Sequence, residues 1–361
     1  MTQKVTRHTE FGRFNLFELE REGEASWQSC RPQEYWDYRN EWDNHPKQQH
    51  VGEYPVHIDV EMTARCNLKC PMCQRTTTEE DGLLQDGDMD WSLFTNIVDE
   101  CAGKVRSIKL NFRGESLLHP QISEAIAYAK NNGFVEVMMN SNALLLTEDK
   151  AQKILDAGID SIIFSFDFTD PEKYRASRSG ASYEKCLRNI KRFCKMRREG
   201  GYSHVRVRIN GLSDNKQTDD VKSFLELFGD DVDEINLFRK HLTTSDFPRP
   251  LDYYEDLFDA ADYQCGSLWQ RVGVLFNGSL MTCCNAYEEI KDIGKMPENT
   301  LKELWHSDHM NRLRAAHSTK QGYQEDMCRT CFKFLFRLNR YMERNNIKQV
   351  DFPPVVVAAV K

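Results

Sequence analysis

The chain has 361 residues, 40% of them hydrophobic and 29% charged, with a net charge of −8 at pH 7. That length supports one large core or two moderate ones, and the near-average composition excludes a fibrous or wholly disordered chain. No apolar run nears the roughly 20 residues of a membrane helix, no apolar leader follows Met1, and the acidic balance supplies no basic field for nucleic acid.

Residues 1–55 are polar and aromatic, with Trp27, Trp36 and Trp42 set among many charges and no sustained period. They read as an N-terminal extension that packs its aromatics onto the body. From residue 56 the chain alternates strand and helix signals. Apolar, β-branched runs occur at 56–62, 105–112, 134–140, 161–166, 205–209 and 234–238. Between them, Asp90 can cap a helix through Trp91, Phe94, Ile97 and Val98, and Pro120 can open one through Ile122, Ile126 and Ala129. Thr147 can cap a third through Ala151, Ile154 and Leu155, which Gly158 closes. Six such repeats predict a parallel β/α architecture, barrel or open sheet, with the chemistry on loops at the C-terminal ends of the strands.

After residue 245 the pattern changes. Phe247-Pro248-Arg249-Pro250 reads as a linker, and residues 273–282 read as a hairpin turning at Asn277-Gly278. A helical stretch around Leu301, Leu304 and Trp305 follows, and the basic segment 332–349 predicts an amphipathic surface helix. The expected division is 1–55, extension; 56–245, main body; 246–331, a small second domain; 332–361, C-terminal helix and tail.

Twelve cysteines stand in a chain with no visible export signal. That combination points to the cytoplasm, where patterned cysteines serve metals or catalysis rather than disulfides. After the first strand comes Cys66-Asn67-Leu68-Lys69-Cys70-Pro71-Met72-Cys73. Three thiolates on a short loop can bind three irons of a cubane and leave the fourth open. The alternatives are zinc with a remote fourth ligand, or three reduced thiols. A second group comprises Cys265, Cys283, Cys284, Cys328 and Cys331, in a C-x12-G-x4-C … C-x2-C arrangement. By spacing alone it also suits a structural zinc built from two pairs.

The first loop resembles that of the radical S-adenosylmethionine (SAM) superfamily, which sits after the first strand of a partial (β/α)6 barrel. The resemblance covers roughly residues 56–240. It implies a [4Fe–4S] cluster on Cys66, Cys70 and Cys73, with Met72 in the apolar position before the last ligand. In that family SAM chelates the open iron, an external reductant of flavodoxin or ferredoxin type supplies one electron, and the resulting 5′-deoxyadenosyl radical abstracts a substrate hydrogen. Asn111-Phe112-Arg113-Gly114-Glu115 resembles the G-G-E motif that binds the methionine amino group, with Arg113 replacing the first glycine. Gly114 and Glu115 are therefore expected at SAM. Asn140-Ser141-Asn142 resembles the segment that reaches its ribose and carboxylate, and Ser165-Phe166-Asp167 one that lines the pocket. Arg206 and Arg208 share one face of the fifth strand. Arg206 is expected at the SAM carboxylate, and Arg208 and Cys284 are the candidate catalytic residues.

The second group resembles the auxiliary-cluster extension of SPASM and shorter twitch enzymes. The later SPASM cysteines are absent after Cys331. The resemblance therefore implies one closed [4Fe–4S] cluster on Cys265, Cys283, Cys328 and Cys331, with Cys284 either replacing Cys283 or free. It implies a SAM-dependent radical dehydrogenase oxidising an alcohol of a small carbohydrate-like substrate, a sugar or aminocyclitol, with the auxiliary cluster as electron acceptor. The alternatives are sugar epimerisation, with Cys186, Cys194 or Cys284 returning a hydrogen atom, and ribosomal-peptide maturation. Neither nucleic acid nor membrane is an expected partner.

Overall fold

The computed structural model describes residues 3–10, 14–21, 26–76, 85–212, 217–238, 250–259, 261, 263–283 and 293–347. One ten-stranded sheet organises them. In chain order its strands are β1 Gln3–Glu10, β2 Phe14–Arg21, β3 His57–Val60, β4 Ser107–Lys109, β5 Glu136–Ser141, β6 Ser161–Ser165, β7 Arg206–Leu212, β8 Glu234–Phe238, β9 Arg271–Val274 and β10 Leu280–Met281. The spatial order is β1-β2-β8-β7-β6-β5-β4-β3-β9-β10. Strands β3 to β8 are parallel in sequence order. An antiparallel hairpin, β1–β2, covers the β8 edge. At the other edge β9 runs parallel to β3, with β10 antiparallel beyond it.

The helices are α1 Gln33–Gln48, α2 Trp91–Cys101, α3 Ile122–Asn131, α4 Glu148–Asp156, α5 Pro171–Ser177, α6 Tyr183–Glu199, α7 Gln217–Phe228, α8 Leu301–Trp305, α9 Asp308–Ser318, α10 Asp326–Arg329 and α11 Phe332–Arg344. Asp90 and Thr147 accept from the amides of Ser92 and Lys150, satisfying first-turn donors of α2 and α4. Gly158 follows α4 at φ +85°, a left-handed turn that a Cβ would disfavour. Pro120 stands one residue before the N-cap Gln121 of α3.

Alternation along the strands builds two unlike faces. Ile58, Ile108, Val137, Met139, Ile162, Phe164, Val207, Ile209, Ile235 and Leu237 turn outward into the main core under the helices. The intervening positions include His57, Asp59, Glu136, Arg206 and Glu234, which are buried and polar. Arg206 donates to Glu136 at 3.0 Å and to Ser161 Oγ at 3.1 Å, and Lys109 pairs with Asp59 at 2.5 Å. Buried charges of this kind persist only when paired.

That inner face explains the N-terminal segment, where no period is legible. Tyr35 and Tyr38 of α1 are buried, and the Tyr38 hydroxyl donates to Glu136. The Trp27 ring stacks 4.9 Å from the Arg206 guanidinium. A helix laid across a polar strand end needs no apolar stripe. In the hairpin, Phe17 and Leu19 are buried. Of the three extension tryptophans Trp27 is buried, whereas Trp36 is exposed.

The sheet is continuous across the boundary expected near residue 245, because β9 pairs directly with β3. The expected linker 247–250 lies outside the described residues except for Pro250. The hairpin turns at Gly278, φ +87°, where an added Cβ would stand 2.1 Å from the Met296 carbonyl. In α11, Phe334, Leu335, Leu338 and Met342 are buried, giving one apolar face.

Candidate active site

The loop carrying Cys66, Cys70 and Cys73 leaves the end of β3 and is pinned at several points. Arg75 Nε donates to the Ala64 carbonyl at 2.7 Å, Cys73 N–H to Cys70 O at 3.0 Å, and Lys69 N–H to Ser179 O at 3.2 Å. Cys70 is buried, and Cys66 and Cys73 are half-buried. Burial pushes the Cys70 thiol up to about 11, with Cys73, Asp167 and Cys66 adding and Arg178 opposing. Burial likewise raises Cys66. Metal binding at this loop therefore displaces protons.

Two further motifs converge here. Gly114 lies against the loop's entry: a Cβ there would meet the carbonyl oxygens of Thr63 at 2.2 Å and Arg65 at 2.5 Å. Only glycine permits that approach. Glu115 is buried and accepts from Ser141 Oγ at 2.9 Å and from the Asn142 amide at 2.8 Å. Burial raises its pKa while these donors oppose the rise. Asn142 Nδ2 then donates to Asn67 Oδ1 at 2.9 Å, inside the cysteine loop. Asn140 N–H donates to Asn111 Oδ1 at 2.8 Å.

At the end of β6, Asp167 accepts from Arg178 at 2.7 Å and from the Ser177 hydroxyl. Arg178 is raised: burial works against its charge, but Asp167 and the adjacent Cys70 favour it. Sequence reasoning missed Arg178. Its signal was Arg178-Ser179-Gly180, in which Gly180 adopts φ +91° beside the cysteine loop. Ser165 pairs in register with Asn210, and Met72 is 44% exposed.

Arg206 requires correction. Strand β7 begins at Arg206, so it lies at the strand end opposite the cysteine loop, saturated by Glu136, Ser161 and Trp27. Burial opposes its charge, yet Glu234 and Glu136 raise its pKa. Arg208 Nε donates to Glu234 at 2.5 Å. The two arginines share the inner face, where the carboxylates they meet are the protein's own.

The second group also converges. Burial raises the Cys328 thiol, and Cys265, Cys283 and Cys331 each add to the rise. Four thiols thus bear on one another, drawn from the segment before β9, the turn after β10, helix α10 and the residue before α11. Burial also lifts the Tyr263 hydroxyl well above its usual value, assisted by Cys265, Cys331 and Cys328. His317 of α9 is buried, accepts from Cys265 N–H at Nδ1 (3.1 Å) and sets Nε2 3.4 Å from Cys328 Sγ. This histidine was also missed; it follows Met310 and Leu313 on the buried side of α9. Cys284 lies outside the described residues. Among those residues, no group of three or more His, Cys, Asp and Glu side chains is gathered to hold a single metal ion. An all-thiol donor set on each loop suits iron–sulfur clusters.

A cavity of about 470 Å³ lies elsewhere, lined by Arg31, Lys130, Asp160 and His204, with Lys130 and Arg31 both engaged by Asp160. No cysteine of either group lines it. Among the described residues no helix is long and apolar enough to cross a membrane.

Residues 60–228 match the Radical SAM superfamily, and residues 265–332 match SPASM, an iron–sulfur cluster-binding domain. Over 114 residues the chain is 32% identical to the tungsten-containing aldehyde ferredoxin oxidoreductase cofactor-modifying protein of Pyrococcus furiosus, covering 31% of this chain and 30% of that protein. Over 134 residues it is 33% identical to a probable GTP 3′,8-cyclase of Methanococcus maripaludis, covering 37% of this chain and 43% of that one. The chain thus spans less than half the length of each of these curated relatives. The solved structure of native anSMEcpe with bound AdoMet superposes with a TM-score of 0.56 at 12% identity, over 81% of this chain and 98% of that one. At that identity the likeness is one of fold.

Proposed function

Because this chain belongs to the radical SAM superfamily and carries an iron–sulfur cluster-binding SPASM domain, we propose that it oxidises one alcohol of a small polyhydroxylated substrate to a ketone. The observation that carries the substrate class is on the inner face of the sheet. Asn140, Asn210 and Asn236 each have a buried side-chain oxygen without a hydrogen-bond partner. Asn210 and Asn236 pair in register, and Ser165 stands level with Asn210 on the adjoining strand. An unpaired buried acceptor costs about 1–3 kcal/mol, and a ligand rich in hydroxyl donors relieves it. A sugar or aminocyclitol carries such donors on several carbons.

In this reading Cys66, Cys70 and Cys73 hold the cluster at which SAM binds, and Cys265, Cys283, Cys328 and Cys331 hold the auxiliary one. When bound, these groups supply reductive C–S cleavage, a hydrogen-abstracting nucleoside carbon and a one-electron acceptor. Glu115 presents a buried carboxylate to the SAM ammonium and fixes Ser141 and Asn142 beside it. Asp167 and Arg178 offer the opposite charges needed by ribose hydroxyls and the SAM carboxylate. Oxidation of the alcohol would remove one hydrogen atom, one hydroxyl proton and one electron from the substrate, the first taken up by the nucleoside radical and the last by the cluster that Cys265, Cys283, Cys328 and Cys331 would hold.

Epimerisation needs a thiol that returns hydrogen. Cys186 and Cys194 are fully buried within the core on α6, which disfavours both and leaves that reading on Cys284. Anaerobic turnover with candidate sugars and aminocyclitols in deuterium oxide tests the proposal. One ketone and one 5′-deoxyadenosine per turnover are expected. An epimer carrying solvent deuterium at the changed carbon would overturn it, as would turnover confined to peptide.

A further inference from the structure

His317 is buried on α9 between two cysteines of the second group. The Cys265 backbone N–H, which can only donate, lies 3.1 Å from Nδ1. With Nδ1 accepting this bond, a neutral ring carries its proton on Nε2; the Tyr263 backbone carbonyl also lies at the ring and competes for that proton. Nε2 is 3.4 Å from Cys328 Sγ, within reach of an N–H···S hydrogen bond. The ring has little freedom to turn away. Tyr263 packs edge-on against it with centroids 5.4 Å apart, and Gly322 lies so near that an added Cβ would stand 2.0 Å from Cε1.

We infer that His317 tunes the auxiliary cluster, raising its reduction potential by donating a hydrogen bond to the Cys328 sulfur. A donor to a ligating thiolate draws electron density from the iron and favours the more negatively charged reduced state. That is the direction an electron acceptor requires. His317 acts through Cys328 and is a positioning residue, not a catalytic one. The inference rests on the reading that Cys265, Cys283, Cys328 and Cys331 hold this cluster.

The test is an EPR-monitored redox titration of the full chain reconstituted anaerobically with iron and sulfide. It is performed in parallel on a Cys66→Ala/Cys70→Ala/Cys73→Ala chain, which isolates the auxiliary signal. His317→Leu is expected to keep its iron and shift the auxiliary midpoint to lower potential. His317→Gln, whose carboxamide can accept from Cys265 N–H and donate to Cys328, is expected to return most of the shift. A His317→Leu protein with full cluster content and an unchanged midpoint would overturn the inference. A second measurement needs no substitution: 15N-histidine labelling of the unsubstituted chain should give a nitrogen coupling to the reduced auxiliary cluster, and its absence sinks the inference. If the triple-alanine chain takes up zinc and no iron–sulfur signal, the cluster reading itself fails, and the inference falls with it for that separate reason.

Discussion

Arg113 forks onto Glu61, with Nε–Oε2 and Nη2–Oε1 both at 2.7 Å and the two side chains 2% and 0% exposed. The Arg113 backbone N–H adds a third bond at 3.1 Å, and Phe276 N–H of the hairpin region reaches Glu61 Oε1 at 3.4 Å. This pair accounts for the departure from a double glycine. The arginine neutralises a buried carboxylate at the end of β3 and ties the Gly-Glu motif to the β9–β10 connection.

Restoring the family pattern with Arg113→Gly should therefore harm the protein. Glu61 would be left buried and unpaired, a loss of about 3–5 kcal/mol. Glu61→Gln combined with Arg113→Gly should recover part of that loss. Denaturant midpoints read by tryptophan fluorescence decide it; a single variant as stable as the unsubstituted chain would refute the pairing argument.

Gly114→Ala should separate the two cysteine groups. Its Cβ would press on two backbone carbonyls of the cysteine loop's entry, atoms that cannot swing aside as a side chain can. Iron counting after anaerobic reconstitution should fall from about eight atoms per chain to about four, with SAM binding lost. Full iron together with ordinary SAM affinity would show that the contact is tolerated.

Glu115→Gln should weaken SAM binding by roughly 10–100-fold, the loss expected for a charge-assisted bond of about 1.5–3 kcal/mol. Calorimetric titration of SAM into reconstituted protein measures it. Because the amide nitrogen of glutamine cannot accept from Asn142 N–H, the Ser141–Asn142 segment should also loosen, giving faster amide exchange there.

Glu234 supplies an acid-side stability term. Burial works to raise its pKa, but Arg208 and Arg206 hold it below the ordinary 4.5. A depressed folded pKa gives stability that is full above the unfolded value and is lost as pH falls through the folded one. Unfolding free energy should thus decline below about pH 4.5, and Glu234→Gln should be less stable at neutral pH, with a shallower acid slope. An acid slope unchanged in Glu234→Gln would exclude this carboxylate as a contributor.

The chemistry-bearing loops were legible in the sequence because their signals are local. Three thiols within eight residues, a Gly-Glu pair after one strand and Asn140-Ser141-Asn142 after another each fall within a single turn. Helix caps at Asp90 and Thr147 were legible for the same reason. The N-terminal hairpin and α1 were not. Their burial depends on β8 and on Glu136 and Arg206, partners more than 90 residues distant, and α1 has no apolar stripe to announce it. Arg206 was misplaced because alternation assigns a face but not which end of the strand meets the cysteine loop.

Sequence alone determined which residues carry sulfur, which backbone position must be glycine, and that six strand–helix repeats would set them on one rim. Only the tertiary structure decided what each charge faces. It gave Arg206 and Arg208 to Glu136 and Glu234, Arg178 to Asp167 and Arg113 to Glu61, and it set the His317 ring beside Cys328. A charge buried far from water takes the nearest complementary group in space, and that neighbour is set by strand register and helix docking rather than by separation along the chain.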